Sequence, residues 1–168
     1  MIIRHAEEHE VNGITSEGKA DPQSLTVRGW QRAGALVPFF CFSDRGLPTP
    51  DTIFAAAVAP GSQSRRPQQT VAPLLAVLRE KGQVGYSETF AKPDTSALMA
   101  EVMTRSGNVL IAWNHSQIPD CVAALPNPPE APSDWPGDRY DLVWVLDPSD
   151  EGWTFTEIPQ RLLAGDSA

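Results

Sequence analysis

The chain has 168 residues, 41% of them hydrophobic and 20% charged, enough for one globular domain over residues 1–168 with a buried core. Its net charge of −8 argues against nucleic acid or an anionic membrane surface as the main partner, since either needs a basic face that releases counterions. The longest central apolar run, Ile53 to Ala59, is far short of the ~20 residues that span a bilayer. The charged stretch from Arg4 to Glu10 is unlike a signal peptide, so a cytoplasmic location is expected. Cys41 and Cys121 form neither a disulfide framework nor a Cys-x-x-Cys pair and read as packing residues.

Taken in chain order, Ile2-Ile3 is an abrupt strand end, either a short strand or one whose first residues precede Met1. Thr26 is a good N-cap for a helix with Trp30, Ala33, Leu36 and Val37 on one face, expected to end near Pro38, with Phe39 to Phe42 extending the buried face. Leu47 to Asp51 is a turn, and Thr52 to Ala59 reads as a buried parallel strand. Ser62 or Ser64 can cap a second helix carrying Val71, Leu74, Leu75 and Leu78, kinked at Pro73 and stopped at Lys81-Gly82. Val84 to Tyr86 is a third strand, and Asp94 can cap a helix through Leu98, Val102 and Met103 that Gly107 ends. Val109 to Trp113 is a central strand, and Pro119 suits the first turn of a short helix through Val122 and Leu125.

The prolines from Pro126 to Pro132 exclude a regular element and make a loop able to border a pocket. Tyr140 to Leu146 and Trp153 to Ile158 are strands joined by a turn from Asp147 to Gly152, an antiparallel hairpin at one sheet edge. Strands alternating with helices before that hairpin predict an α/β fold, a three-layer α/β/α sandwich with a mostly parallel sheet. Trp135, Trp144 and Trp153 read as packing residues.

Two histidines, His5 and His115, each follow a strand and can therefore face one pocket. The arginine fork matches phosphate oxygens, and neutral imidazole is a nucleophile near pH 7, so Arg4-His5 suits phosphoryl handling. His5 and His9 also flank Glu7 and Glu8 at helical spacing, but Ala6 breaks the His-Glu-x-x-His pattern, and no metal or other cofactor is expected. Glu7, Glu8 and Glu10 read as a solvated loop or as a rim repelling multiply charged substrates.

The ordered segments Arg4-His5-Ala6, Leu25-Thr26-x-x-Gly29, Ser62-x-x-x-Arg66-x-x-Gln69-Thr70, Glu88 and Trp113-Asn114-His115 resemble the histidine phosphatase superfamily, also called phosphoglycerate-mutase-like, over about the first three quarters of the chain. The chain departs from its pattern at Ala6 and Asn114, where the family has glycine in the first position and often in the second. The Trp135 to Asp141 segment resembles one compact branch of that superfamily.

The resemblance implies a metal-independent phosphatase acting on a phosphomonoester or phosphoramidate, either a small phosphorylated molecule or a phosphorylated protein side chain. His5 would form a phosphohistidine and Arg4 would grip the phosphoryl oxygens. The Thr70 spacing selects Arg66 over Arg65 as the second clamp, while His115 would complete the phosphate site with a further bond from Ser116. Glu88 would protonate the leaving group, with Asp94 competing. A non-catalytic phosphate-binding protein and a mutase-type phosphotransferase are the alternatives, the mutase disfavoured by the short interval from Glu88 to His115.

Overall fold

A computed structural model of the chain describes residues 1–8, 13–42, 47–82 and 84–167. The expectations for His9 and Glu10 lie outside the described residues. Six strands form one sheet: β1 (Ile2–Arg4), β2 (Thr52–Ala55), β3 (Gly85–Ser87), β4 (Val109–Trp113), β5 (Leu142–Ser149) and β6 (Gly152–Pro159). Their order is β3-β2-β4-β1-β5-β6. The first four pair in parallel, and β5 and β6 add the antiparallel edge hairpin.

Alternation along the strands divides the core between two faces. Ile3, Ile53, Leu110 and Val143 pack with Leu36, Phe39, Phe40 and Leu74, from α1 (Val27–Phe42) and α2 (Arg66–Lys81). Ile2, Phe54, Ile111, Trp113 and Trp144 pack with Leu98, Met99, Ile118 and Cys121, from α3 (Thr95–Val102) and α4 (Ile118–Ala123). That is the α/β/α sandwich the alternation predicts. The tryptophans pack as expected, with the Trp135 and Trp144 ring centroids 5.0 Å apart and Trp153 against the same cluster.

Several boundaries differ from those the sequence predicts. α1 does not stop at Pro38 but runs to Phe42. Pro38 is exposed, so the helical bond it cannot donate leaves a carbonyl open to water, while burial of Phe39 and Phe40 carries the helix onward. β2 ends at Ala55 rather than Ala59, because its ladder with β4 stops at Ala55 against Ala112. From there the chain turns off the sheet, with the Ala57 amide bonded to the Phe90 carbonyl. α2 starts after Arg65 without a side-chain cap at that position, while its passage through Pro73 and its end at Lys81 are as expected. Ser64 instead accepts the Arg66 amide, and Pro67 has no amide to satisfy. β3 lies one residue later than predicted, at Gly85–Ser87, in register with Thr52–Phe54.

Asp94 precedes α3 but turns its carboxylate to the Ala91 amide instead of capping. The hairpin strands extend into the predicted turn, leaving Asp150 and Glu151 between them. Tyr140 and Asp141 fall outside β5, drawn to Arg4 and Arg139 respectively. The proline-rich loop packs at the other end of the hairpin, where the Asn127 carbonyl lies 2.9 Å from the position a Cβ on Gly152 would take. Among the described residues, no helix is long and apolar enough to cross a membrane.

Candidate active site

The loops following β1, β2 and β4 converge on a cleft of about 380 Å³, lined by His5, Gln23, Ala56, Ser64, Arg66, Lys92 and Asn114 among others. It lies at the carboxyl ends of the parallel strands, where open α/β sheets bind ligands. A second cavity of about 400 Å³ opens at the opposite end, is lined by residues such as Met99, Val109 and Trp153, and contains none of the expected site residues.

His5 is placed by the sheet itself. Its amide donates to the Trp113 carbonyl at 2.9 Å, continuing the β1–β4 ladder one step past Arg4. The buried imidazole has Nδ1 at 2.9 Å from the Ala6 carbonyl. A carbonyl only accepts, so Nδ1 carries the proton and Nε2 keeps its lone pair. Nε2 has no hydrogen-bond partner. Burial lowers the imidazole pKa to about 4 against the opposing pull of the Ala6 bond and Glu8, so His5 is neutral at neutral pH.

The Ala6 amide donates to Thr70 Oγ1 at 2.8 Å, and Thr70 in turn donates to the Arg66 carbonyl. Neither Ala6 nor Asn114 has a positive φ, so neither departure from the glycine pattern strains the backbone. Gln69 accepts the Leu25 amide and donates to Ser24 Oγ, joining α2 to the approach to α1. Gln69 and Thr70, singled out in sequence for their place in a phosphate-site pattern, thus act as scaffold.

Arg4 donates through Nη1 to the Gly137 carbonyl at 2.6 Å and through Nη2 to the Tyr140 hydroxyl at 2.9 Å, with its guanidinium over the Tyr140 ring. Arg66 donates to the Pro22 carbonyl at 2.6 Å and the Ser24 carbonyl at 3.3 Å. Arg66 lines the cleft; Arg65 does not. His115 opens a 3-10 turn just after β4, with Nδ1 buried and unpartnered. Desolvation and then the Arg4 charge lower its pKa; Arg4 and His115 are not among the residues that line the cleft.

Other expected residues point elsewhere. Ser116 commits its hydroxyl and its amide to Asn114 Oδ1 at 2.8 and 3.0 Å. Glu88 accepts the Tyr86 hydroxyl at 2.7 Å and does not line the cleft. Asp94 does not line it either.

Glu7 and Glu8, expected in a solvated loop or a repelling rim, are paired with arginines instead of being free in solvent. Glu7 is buried and receives Arg32 at 2.8 Å and Arg28 at 3.2 Å. Glu8 is bonded to both Arg4 and Arg66, and its Oε1 lies 3.7 Å from His5 Nε2. Buried guanidiniums attract carboxylates because no water competes for them. Tyr140, Lys92 and Arg32 are neighbours of the expected site that sequence reasoning missed, and the Glu8 pairing with both arginines is one it did not foresee. The Trp135 to Asp141 segment carried a signal for Tyr140, whereas nothing local marked the others.

Among the described residues, no group of three or more His, Cys, Asp or Glu side chains is placed to hold a metal ion. No family model matches the chain, and no curated protein matches it.

Proposed function

We propose that this protein is a metal-independent phosphatase of the histidine phosphatase type. The observation carrying the reading is the His5 imidazole, buried and neutral, with Nδ1 held by the Ala6 carbonyl and Nε2 unpartnered beside two guanidiniums. Nε2 attacks phosphorus as the bond to the leaving oxygen or nitrogen breaks, giving phosphohistidine. Arg4, Arg66 and His115 neutralise the phosphoryl oxygens and align them for in-line displacement. Water then cleaves the N–P bond, releasing phosphate and the neutral imidazole. The departing atom takes a proton, and Glu88 would have to swing from Tyr86 to supply it. The substrate class is a phosphomonoester or phosphoramidate, on a small molecule or a protein side chain. Two unpaired cysteines support a cytoplasmic setting.

A non-catalytic phosphate-binding role is the second reading, favoured by one observation: Glu88 and Asp94 both stand away from the cleft lining.

Incubation with a labelled phosphorylated substrate in the presence of chelator tests both. The native chain should acquire an acid-labile label and release phosphate, and His5→Ala should do neither. Label persisting in His5→Ala would remove His5 as nucleophile. Phosphate binding without turnover of any substrate would favour the binding protein.

A further inference from the structure

We infer that Glu8 is a built-in anion that occupies the phosphoryl position at rest and sets which ligands the cleft accepts. This inference rests on the phosphatase reading and adds a specificity-determining residue to it.

The Glu8 carboxylate spans the two arginines, with Oε1 on Arg4 Nη2 at 3.2 Å and Oε2 on Arg66 Nη1. It faces His5 Nε2 at 3.7 Å, too far for a hydrogen bond, so the buried lone pair has no partner even with the carboxylate in place. The space between guanidiniums and imidazole is where a phosphorus atom must sit for attack by that nitrogen. Glu8 therefore holds the ligand's place without satisfying the nucleophile.

Two features make the occupancy reversible. Glu8 follows β1 in a loop, and its side chain is 27% exposed, which leaves it a path outward. The arginines do not depend on it for position: Arg4 is also held by Gly137 and Tyr140, and Arg66 by Pro22 and Ser24. When Glu8 leaves, the clamp stays formed.

An incoming ligand therefore competes with a tethered carboxylate at an effective concentration of about millimolar or more. Acetate offers two oxygens and one charge, the same chemistry as Glu8, and gains nothing by the exchange. A phosphate dianion offers a second charge and further oxygens that can reach His115. The built-in carboxylate thus rejects simple carboxylates while admitting phosphoryl groups, a selectivity that works by competition. Apparent affinity falls by the fraction of molecules in which Glu8 has left, so removing the carboxylate should strengthen binding of every anion.

Calorimetric titration of the full chain with inorganic phosphate and, separately, acetate tests this in native, Glu8→Gln and Glu8→Asp proteins, each checked for a cooperative melt. The glutamine variant should bind phosphate at least about tenfold more tightly and should bind acetate where the native chain does not. The aspartate variant, too short to span both arginines, should move the same way by less and serves if the glutamine variant does not fold. Unchanged or weaker phosphate binding in the folded variants, or tighter phosphate binding with acetate still rejected, overturns the inference. If the native chain turns over substrate while Glu8→Gln leaves phosphate affinity unchanged, only the role of Glu8 falls. If no variant and no native protein binds phosphate, the phosphatase reading falls with it.

Discussion

At the scale of single residues, the His5 imidazole ties reactivity to stability. Its pKa is about 4 in the fold against 6.5 in the open chain, because burial disfavours the charged ring. The unfolded chain therefore binds the proton first as pH falls, and stability present above pH 6.5 is lost progressively towards pH 4. His5→Asn keeps a donor for the Ala6 carbonyl and removes that titration. Urea unfolding at pH 7 and pH 5 should show a smaller loss in the variant than in the native chain, and equal losses would mean that His5 is not buried neutral. Thr70 acts one bond further back. Thr70→Val leaves the buried Ala6 amide without its acceptor, at a cost of about 1–3 kcal/mol. It also loosens the carbonyl that holds the His5 tautomer, so kcat should fall more than KM rises, and Thr70→Ser should restore both. A rise in KM alone would assign Thr70 to substrate binding.

Between elements, the decisive contact is α1 against the chain leaving β1. Gly29 lies so close that a Cβ there would fall 2.5 Å from the Glu7 carbonyl oxygen. Thr26 donates its amide and its hydroxyl to that same carbonyl, at 3.0 and 3.1 Å. Gly29→Ala should push the loop carrying Glu7 and Glu8 off α1, costing roughly 1–3 kcal/mol. An unaltered melting temperature would show that the loop absorbs the methyl group. The glycine was legible in sequence as part of an ordered pattern, and its reason is this approach. Strand and helix order was legible too, since period-two and helical spacing are local properties. Arg66 was separable from Arg65 only through its spacing from Thr70, and it is the one lining the cleft. The roles of Glu7, Glu8 and Arg32 were not legible. A charge inside a polar stretch looks solvated until its partner is known, and these partners are remote: Glu8 meets Arg66, and Arg32 meets Asp166. Glu88 shows the converse, since its order in the chain suggested a role that its position beside Tyr86 does not by itself supply.

Across the whole molecule, the acidic loop is anchored to the far end of the chain. Arg32, 2% exposed, donates to Glu7 at 2.8 Å and to Asp166 at 2.6 Å, and Asp166 also accepts the Leu162 and Leu163 amides. Burial pushes the Asp166 carboxyl up, but Arg32 and those amides outweigh it and bring its pKa down to about 2. The unfolded aspartate, at 3.8, takes up its proton first, so its contribution is present above pH 3.8 and lost as pH falls towards 2. Removing Asp166 leaves the buried Arg32 with Glu7 as its remaining counter-charge. Asp166→Asn should cost roughly 3 kcal/mol at pH 7, with native and variant stabilities converging in acid. Denaturant unfolding from pH 7 to pH 2 measures it, and a gap independent of pH would show that the ion pair is not the source. The same long reach imposes an order in time. Arg4 is held by Gly137 and Tyr140, 133 and 136 residues further along, and the loop after His5 is braced through Arg32 by Asp166. In a growing chain His5 therefore emerges well before the groups that position its neighbours, and its surroundings are complete only once Asp166 has been made.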